Sequence, residues 1–463
     1  MQTLETMKLT ISEVEKALAA AATCGNIGDP PGRFIDGSIE VKGISTDSRT
    51  IGKGELFFAL KGGNFDGHRF VNEAFVKGAA AAVVDQDIEE CRGILIKVAD
   101  TLKALGDLAA SFRKKFEIIC VAITGSNGKT TTKDMTAACL ATRFTVLKSS
   151  GNKNNLIGLP QNLFRLDETC QVGVFELGMS FPGEIGRLAQ ICQPGIGIFT
   201  NIGPVHLQNL GTVEAVAKAK HELAENMAEN GLVIINNDDP ILRTWIGKLR
   251  QKVITYGIDS TADFRAESIA RTRQGFEFSL NGEKFSLRYP GRHNIYNALA
   301  AVACADSLGC EWKRLSEALS SIEPADLRSE IFQSRGITVI NDCYNANPVS
   351  LKLAIETLAD FPGQGRKIAV LADMLELGPR EVDFHVEIGR QLDRRKIDAL
   401  FAFGPLSRHY LQEFPGRPGG HYPNKTKLVE DLLKYLQQGD VVLVKGSRGM
   451  ALEDVSHALR ETD

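Results

Sequence analysis

The sequence contains no long apolar run. Across its 463 residues, no uninterrupted hydrophobic stretch approaches the ~20 residues that a helix needs to cross a bilayer. The first residues also lack the basic segment followed by an apolar core that marks a secretory signal. We therefore expect no membrane span, and we expect the protein to work in the cytoplasm.

Cysteine motifs and clustered charge are missing as well. The nine cysteines form an odd set without C-x-x-C spacing. This argues against a structural zinc site and favours small buried thiols in a reducing compartment. The net charge is −3 and the basic residues are dispersed. Such a distribution lacks the footprint of a protein that binds nucleic acid or an anionic membrane surface, so we expect neither partner.

The chain is organised around an apolar run that stops at a glycine-rich turn. Residues 118–123 are apolar throughout, as in a buried parallel strand, and Gly128, Lys129 and Thr130 follow shortly after. Glycines there let backbone N–H groups converge on an anion, with Lys129 reaching a nucleotide's outer phosphates and Thr130 the accompanying Mg²⁺. Ile123 stands where the general motif has a glycine, so an ordinary strand-to-helix turn is the alternative.

The length and the pattern of elements predict three domains. Repeats and low-complexity segments are absent, and ~150 residues per domain gives about three. Short strands with glycine turns come first, and two regions of alternating strand and helix follow, separated by a linker at 323–326. We predict an α/β fold: a small α/β N-terminal domain (1–115), a central doubly wound P-loop ATPase domain (116–323) and a C-terminal Rossmann-like α/β domain (324–463).

Two local patterns add detail to this outline. Ser12 and Glu15 have the spacing of a capping box, which predicts the start of a first helix. Residues 263–289 interrupt the alternation with three short strands and turn signals. We expect these strands to form an antiparallel edge of the central sheet.

Polar residues also stand where strands of the central domain should end, the edge at which open α/β sheets bind ligands. Glu176 closes a strand at 172–176, and a carboxylate there could hold Mg²⁺ beside a triphosphate. His206 follows a strand at 195–200. Each residue also has an ordinary interpretation, as a turn carboxylate or a capping histidine.

Lys220 falls within the apolar stripe of a helix that begins near Gly211. Apolar residues recur around it at i, i+3, i+4 and i+7 spacing, whereas Lys218 points to another face. A lysine held toward the core needs a partner or a chemical change, because an unpaired buried charge is costly. The alternative is a lysine whose stem lies along the surface while its ammonium stays in water.

The first domain carries a group of polar residues, which we call the N-terminal polar cluster. They are dense in hydrogen-bonding groups, and turn chemistry alone would explain them. The cluster comprises Ser45, Thr46, Asp47, Ser48, Arg49, Asp66 and His68.

Together these residues resemble the Mur ligase family, ATP-dependent enzymes that add amino acids to the peptidoglycan precursor. The shortened loop from Thr124 to Thr131 is similar to that family's own variant. The resemblance implies ATP and Mg²⁺ as cofactors and Lys129, His206 and Lys220 as catalytic residues. It implies metal contacts from Thr130, Glu176, His206 and a carbamylated Lys220. The implied nucleotide contacts are Gly125, Ser126, Asn127, Gly128, Lys129, Thr130, Thr131, Asn294, Arg328 and Asp342.

Two of the implied nucleotide contacts, Asn294 and Arg328, need a further check. Asn294 could equally be the N-cap of the helix that starts near His293. Leu327 stands where the resemblance implies a glycine before Arg328. The setting of that arginine is therefore a point for the structure to decide.

Further motifs are similar to those of family members that add D-alanyl-D-alanine to UDP-N-acetylmuramoyl-tripeptide. They lie at 342–348, 373–378 and 445–448. The resemblance implies these two small molecules as substrates, with UDP held by the first domain, ATP by the second and the dipeptide by the third. We expect a monomer. The implied substrate contacts are the N-terminal polar cluster together with Asn152, Asn154, Asn155, Tyr344, Asn345 and Asn347.

The implied reaction is peptide-bond formation through an acyl phosphate, in peptidoglycan (cell wall) biosynthesis. The carboxylate of the tripeptide attacks the γ-phosphate of ATP, and the dipeptide amine then displaces phosphate. Alternatives are another Mur-type amino-acid ligase or folylpolyglutamate synthase. A different class of function, a nucleotide-dependent switch, would turn over ATP without a small acceptor.

Overall fold

Three open sheets carry the fold of the computed structural model. They contain five, seven and six strands and follow one another along the chain. This succession confirms the predicted α/β class. No described helix is long and apolar enough to cross a membrane. The structure describes residues 7, 9–20, 22–24, 36–63, 65–91, 93–272 and 274–460.

The first sheet is mostly parallel, and its first two strands form the antiparallel pair. In spatial order its strands are Ala22–Cys24, Ile94–Lys97, Ala81–Val84, Glu55–Phe58 and Gly43–Ser45. Two small antiparallel ladders pair Leu9–Thr10 with Glu40–Val41 and Lys61–Gly62 with Phe65–Asp66. The helices of this part are Ile11–Leu18, Val71–Val76 and Thr101–Arg113, with a 3₁₀ turn at Gly67–Phe70.

The predicted capping box at Ser12 and Glu15 is wrong by two residues. The helix begins at the fully buried Ile11. Its cap is Thr10, whose hydroxyl accepts a hydrogen bond from the Glu13 N–H at 3.3 Å, while the Thr10 N–H donates to the Glu13 carboxylate at 2.8 Å. The same capping-box chemistry therefore operates two residues earlier, with Thr10 and Glu13 in place of Ser12 and Glu15.

The central sheet is parallel throughout. In spatial order its strands are Val146–Lys148, Val172–Glu176, Ile119–Thr124, Ile196–Phe199, Leu232–Asn236, Lys252–Gly257 and Phe264–Arg265. The helices around it are Lys129–Leu140, Gly158–Leu163, Glu184–Cys192, Leu207–Leu210, Val213–Glu225, His293–Ser307 and Trp312–Ser321, with a 3₁₀ turn at Leu242–Trp245.

The strand Ile119–Thr124 shows why this sheet is covered on both faces. Cys120 and Ala122 belong to the hydrophobic cluster on one face, and Val121 and Ile123 to the cluster on the other. Successive side chains of a strand point to opposite faces, so a run that is apolar at every position needs two cores. The continuous apolar run therefore places this strand in the middle of the sheet.

Three antiparallel strands are present within residues 263–289, as predicted, but they do not form an edge of the central sheet. Phe264–Arg265 joins that sheet in parallel, and the following strands make a separate three-stranded antiparallel sheet. Its inward residues pack on the cluster that includes the helix His293–Ser307. The strands of this sheet are Glu267–Arg271, Phe276–Leu280 and Glu283–Leu287.

The last sheet is parallel except for its first pair of strands. In spatial order its strands are Glu330–Ser334, Ile337–Asn341, Val441–Lys445, Lys367–Ala372, Ala399–Phe403 and Gly419–Tyr422. Hydrophobic clusters lie on both of its faces. The helices are Pro348–Ala359, Glu381–Arg394, Lys425–Tyr435 and Glu453–Arg460, with 3₁₀ turns at Gly378–Arg380, Ser407–Glu413 and Arg448–Met450.

The core of the first part continues into the central part. One hydrophobic cluster contains Leu56 of the first sheet and Ile185 of a central helix. Asp107 forms an ion pair with Arg187 at 2.7 Å, and the Arg113 side chain donates to a main-chain carbonyl of the central part at 3.0 Å. The helix Thr101–Arg113 thus joins the two parts, and the predicted boundary near residue 115 stays a prediction.

Candidate active site

The predicted phosphate loop lies between the strand Ile119–Thr124 and the helix Lys129–Leu140. Gly125 has φ +148°, and a Cβ built on it would lie 1.8 Å from the Thr200 hydroxyl. Gly128, at the N-terminus of the helix, has φ +80°. Both positions therefore need glycine, and the backbone N–H groups at the helix N-terminus remain available for an anion.

The Lys129 side chain folds over this loop. Its Nζ donates to the carbonyl oxygens of Gly125 at 2.9 Å and Ser126 at 3.4 Å. Desolvation lowers the pKa of Lys129, Glu176 opposes that shift and Arg328 adds to it. The ammonium is thus held by neutral carbonyl groups at the point where the sequence predicts the outer phosphates of a nucleotide.

Glu176 ends the neighbouring strand and faces the loop. The Thr130 hydroxyl donates to one carboxylate oxygen at 2.6 Å, and the Asn154 amide donates to the other at 2.8 Å. A hydroxyl and a carboxylate at this spacing suit Mg²⁺, which prefers oxygen ligands and takes the rest from water and phosphates. The described residues contain no group of three or more His, Cys, Asp or Glu side chains that could hold a metal, so a Mg²⁺ here would need phosphate oxygens as well.

His206 and Lys220 complete the central side of the site. His206 has φ +53° at the start of a short helix, and its Nδ1 lies 2.6 Å from a Glu376 carboxylate oxygen. Lys220 is 2% exposed, as its place in the apolar stripe predicted, whereas Lys218 is exposed. Burial holds the pKa of Lys220 well below its usual range, Lys129 adds to this shift and Glu176 opposes it.

The last domain supplies charged side chains to the same region. Asp342 forms an ion pair with Lys445 at 2.5 Å and accepts a hydrogen bond from the Ser329 N–H at 3.0 Å. The Arg328 guanidinium stacks on the Tyr344 ring, 3.7 Å from its centre. These contacts preorganise the arginine and the carboxylate that the resemblance assigns to ATP.

Leu327 adopts the backbone that a glycine would favour. Its φ is +62°, in the left-handed region, which costs a non-glycine residue ~1–2 kcal/mol. Its side chain packs against the hydrophobic cluster of the last sheet, and its carbonyl accepts from the Tyr344 N–H at 3.1 Å. The departure from the family pattern therefore leaves the turn before Arg328 in place.

Asn294 is the second residue of its helix and not the N-cap, which is Arg292. The capping alternative is therefore wrong. Asn294 is buried and accepts from the Asn297 amide at 2.9 Å, and Asn297 in turn accepts from Thr132 of the phosphate-loop helix at 3.1 Å. These hydrogen bonds connect Asn294, a predicted nucleotide contact, to the helix that follows the phosphate loop.

One cavity of about 470 Å³ brings most of these residues together. It extends from the phosphate loop to the last domain. The predicted residues that line it are Ser126, Asn127, Gly128, Lys129, Thr130, Thr131, Asn154, Asn155, Glu176, His206, Lys220, Asn294, Arg328, Asp342, Tyr344, Asn345 and Asn347.

The N-terminal polar cluster does not line this cavity, and neither does Asn152. His68 is buried between two carboxylates, with Asp66 2.7 Å from its Nδ1 and Asp85 3.1 Å from its Nε2. Asp47 pairs with the exposed Arg49, whose hydrogen bond lowers the pKa of Asp47 to about 2. The contacts with Asp66 and Asp85 thus fix the buried His68 ring within the first domain, and Thr46 of the cluster accepts a hydrogen bond from the Gln161 side chain of the central part at 3.3 Å.

Sequence reasoning missed several residues that line the cavity. Lys445 ends a parallel strand, and the rule that identified Glu176 would have identified it too. Asn297 stands one helical turn from Asn294. For Phe181, which is 55% exposed, and for His293 the sequence gives no signal. Burial lowers the pKa of His293 to about 4.

The fold and the site define a class: a nucleotide-binding protein with a phosphate loop on a parallel sheet, covered by a second α/β domain. Three segments match known families, namely residues 40–113 (Mur ligase family, catalytic domain), 123–305 (Mur ligase middle domain) and 327–448 (Mur ligase, glutamate ligase domain). The chain belongs to the Mur ligase family.

Individual relatives agree with this assignment. The UDP-N-acetylmuramoyl-tripeptide--D-alanyl-D-alanine ligase of Bacillus subtilis is 37% identical over 91% of this chain and 94% of that protein. Crystal structure I of MurF from Acinetobacter baumannii has a TM-score of 0.90 at 29% identity, covering 99% and 100% of the two chains. The crystal structure of MurF ligase from Thermotoga maritima in complex with ADP has a TM-score of 0.82 at 28% identity, covering 90% and 97%.

Proposed function

We propose that this chain is an ATP-dependent ligase that joins D-alanyl-D-alanine to UDP-N-acetylmuramoyl-tripeptide in peptidoglycan biosynthesis. The observation that carries the proposal is the shared cavity. The phosphate loop lines it from the central domain, and Arg328, Asp342 and Asn347 line it from the last domain. Its volume of about 470 Å³ lies within the roughly 300–1,000 Å³ of ligand pockets. The printed activity of the Bacillus subtilis relative supplies the substrates.

The reaction has two steps. A carboxylate oxygen of the tripeptide attacks the γ-phosphorus of ATP, ADP leaves, and an acyl phosphate forms. The dipeptide amine then attacks the acyl carbon, a C–N bond replaces the C–O bond to phosphate, and phosphate and one proton are released. Lys129 and the loop N–H groups hold the phosphates in line and balance the charge that develops on them.

The predicted metal contacts fit Mg²⁺ as the cation that accompanies ATP. Thr130, Glu176 and His206 would hold it, and a carbamylated Lys220 would hold a second Mg²⁺. When bound, Mg²⁺ neutralises negative charge on the phosphates. The donor set supports this assignment because a hydroxyl and a carboxylate already meet at 2.6 Å beside the loop.

Lys220 carries the further proposal of carbamylation. The neutral amine attacks the carbon of CO₂, a C–N bond forms, and one proton is released, which leaves an anionic carbamate. Burial favours the neutral amine, because it disfavours the ammonium form. A carbamate would give the site an anion where an ammonium would repel a cation.

The two substrates are assigned to the first and last domains. We propose that the first domain holds UDP through the N-terminal polar cluster and that the last domain holds the dipeptide near Tyr344, Asn345 and Asn347. Cys120, Cys139, Cys170, Cys192, Cys304, Cys310 and Cys343 are free thiols, which supports work in a reducing compartment such as the cytoplasm.

A phosphate-release assay combined with mass spectrometry tests this function. The purified protein is given ATP and either a UDP-muramoyl peptide from a panel or folate, and each acceptor is tested without a partner and with D-alanyl-D-alanine, a single amino acid or glutamate. We expect phosphate only when a tripeptide precursor and the dipeptide are both present, together with the mass of the pentapeptide product. Turnover without any acceptor would indicate a switch, and product from a single amino acid or from folate and glutamate would indicate another ligase.

A further inference from the structure

A loop of the last domain docks on the central domain beside His206. The Gln208 N–H donates to the Glu376 carbonyl at 3.1 Å. A Cβ built on Gly378, which has φ +67°, would lie 3.3 Å from the Leu207 carbonyl oxygen. The backbones of the two domains are therefore in direct contact. A side chain at position 378 would crowd the Leu207 carbonyl and push the loop away from the central domain.

The side chains make a second contact at the same place. A Glu376 carboxylate oxygen lies 2.6 Å from His206 Nδ1. Both residues have left-handed backbones, with φ +63° for Glu376 and +53° for His206. Such conformations cost non-glycine residues energy and persist where the surrounding structure holds them, which happens often at functional sites.

The loop that carries Glu376 is firmly anchored in its own domain. Met374 and Leu377 are buried in the hydrophobic core, at 0% and 1% exposure. The Leu375 N–H donates to the Ser447 hydroxyl at 2.9 Å. Docking of the last domain therefore brings the Glu376 carboxylate to a fixed position.

The hydrogen bond determines which ring nitrogen of His206 is free. A carboxylate accepts from Nδ1–H, so the neutral ring keeps its lone pair on Nε2. In the part of the chain that the structure describes, the His206 ring makes no other hydrogen bond, and the residue lines the cavity. A histidine held in this way is prepared to bind a cation through Nε2.

We propose that Glu376 is a positioning residue that orients His206 toward a divalent cation when the last domain docks. The inference rests on the proposed function, which makes His206 a cation contact. It gives docking a chemical consequence, because the cation site is complete only when the Glu376 loop lies against His206.

Manganese affinity of the full chain, followed by electron paramagnetic resonance in the presence of ADP, tests the proposal. Glu376→Ala should weaken Mn²⁺ binding by ~10-fold or more, the scale of losing a partner that orients a histidine ligand. Glu376→Gln, whose amide oxygen can still accept from Nδ1–H, should keep most of the affinity. Glu381→Ala is the matched control, because the Glu381 carboxylate makes no hydrogen bond or ion pair among the described residues.

A double-variant cycle separates positioning from a general effect. In a His206→Ala background, Glu376→Ala should cause no further loss of Mn²⁺ affinity. An equal loss in both backgrounds, or wild-type affinity in Glu376→Ala, would overturn the proposal. The readout is independent of catalysis, so a wild-type protein that binds Mn²⁺ as expected but makes no pentapeptide would refute the proposed function and not the positioning role.

Discussion

At the residue scale, three buried lysines differ in whether the ammonium group has an ion pair or a hydrogen bond. Lys133 lies 3.3 Å from Asp134 and donates to a carbonyl at 3.1 Å, and Lys445 lies 2.5 Å from Asp342. Lys220, 2% exposed, has neither an ion pair nor a hydrogen bond among the described residues. An unpaired buried ammonium is costly, so Lys220 is the lysine that a chemical change would stabilise.

Lys220→Ala should be nearly inactive in the phosphate-release assay, because the proposed carbamate is lost. Acetate or formate, which can fill the vacated space with a carboxylate, should restore part of the activity. Lys218→Ala should behave as the wild type, since its side chain is exposed. Full activity of Lys220→Ala, or an inactive Lys218→Ala, would contradict both the apolar-stripe argument and the carbamate.

His293 should make stability depend on pH. Burial lowers its pKa from 6.5 to about 4. Between pH 6.5 and pH 4 the His293 ring is therefore protonated in the unfolded chain but stays neutral in the folded chain. The contribution of His293 to the free energy of unfolding is complete above pH 6.5 and is about 2 kcal/mol smaller at pH 5. Urea midpoints at pH 7 and pH 5 measure the loss, which should be smaller in His293→Gln. An equal loss in both proteins would show that His293 titrates normally.

At the scale of elements, the strand, loop and helix around the phosphate site form one unit. The strand Ile119–Thr124 is anchored in cores on both faces of the sheet. Its rigid end allows two glycines to turn the backbone into the helix Lys129–Leu140. Backbone geometry, more than any side chain, therefore decides whether this unit can hold an anion.

Gly125→Ala should abolish ADP binding. The new methyl group would lie 1.8 Å from the Thr200 hydroxyl in a backbone with φ +148°, so the loop must move. Gly151→Ala is the control: its φ is +54°, and no atom lies within 4 Å of the new methyl group. Titration calorimetry with ADP should therefore show loss of binding for Gly125→Ala alone, and equal affinities would mean that the loop is not the phosphate site.

At the scale of the whole molecule, the last domain contacts the central domain at two points of the site. The Asn347 amide donates to Asn127 in the phosphate loop at 2.6 Å. Glu376 contacts His206 at 2.6 Å. Domain position and site geometry are therefore linked, and closure of this kind can exclude water from an acyl phosphate.

Small-angle scattering should detect this closure. We expect a smaller radius of gyration when an ATP analogue and the UDP-muramoyl tripeptide are added, because both domains then contact the ligands. Lys129→Ala, which loses its contact to the phosphates, should show less compaction under the same conditions. Identical profiles with and without ligands would count against closure as a step of the reaction.

The sequence by itself determined the central features of this fold. The strands Ile337–Asn341, Lys367–Ala372 and Ala399–Phe403 lie in the second predicted region of alternating strand and helix. Interior parallel strands are apolar on both faces, so the pattern is visible locally. The strands Glu330–Ser334 and Gly419–Tyr422 lack this pattern, because edge strands are half exposed and the second begins with two glycines. The phosphate loop was visible because strand, glycines and lysine are contiguous.

Only the tertiary structure decided how distant residues share the site. His206 and Glu376 are 170 positions apart, and Asn127 and Asn347 are 220 apart. The local sequence pattern cannot predict such pairs, because they depend on how the central and last domains pack against each other. His68 differs, because its partners Asp66 and Asp85 lie 2 and 17 positions away in the same domain, and the fold of that domain alone brings them together. The sequence specified the elements and their chemistry, and packing decided which distant groups meet, since their burial and charge pairing arise only once the chain has folded and its domains are in contact.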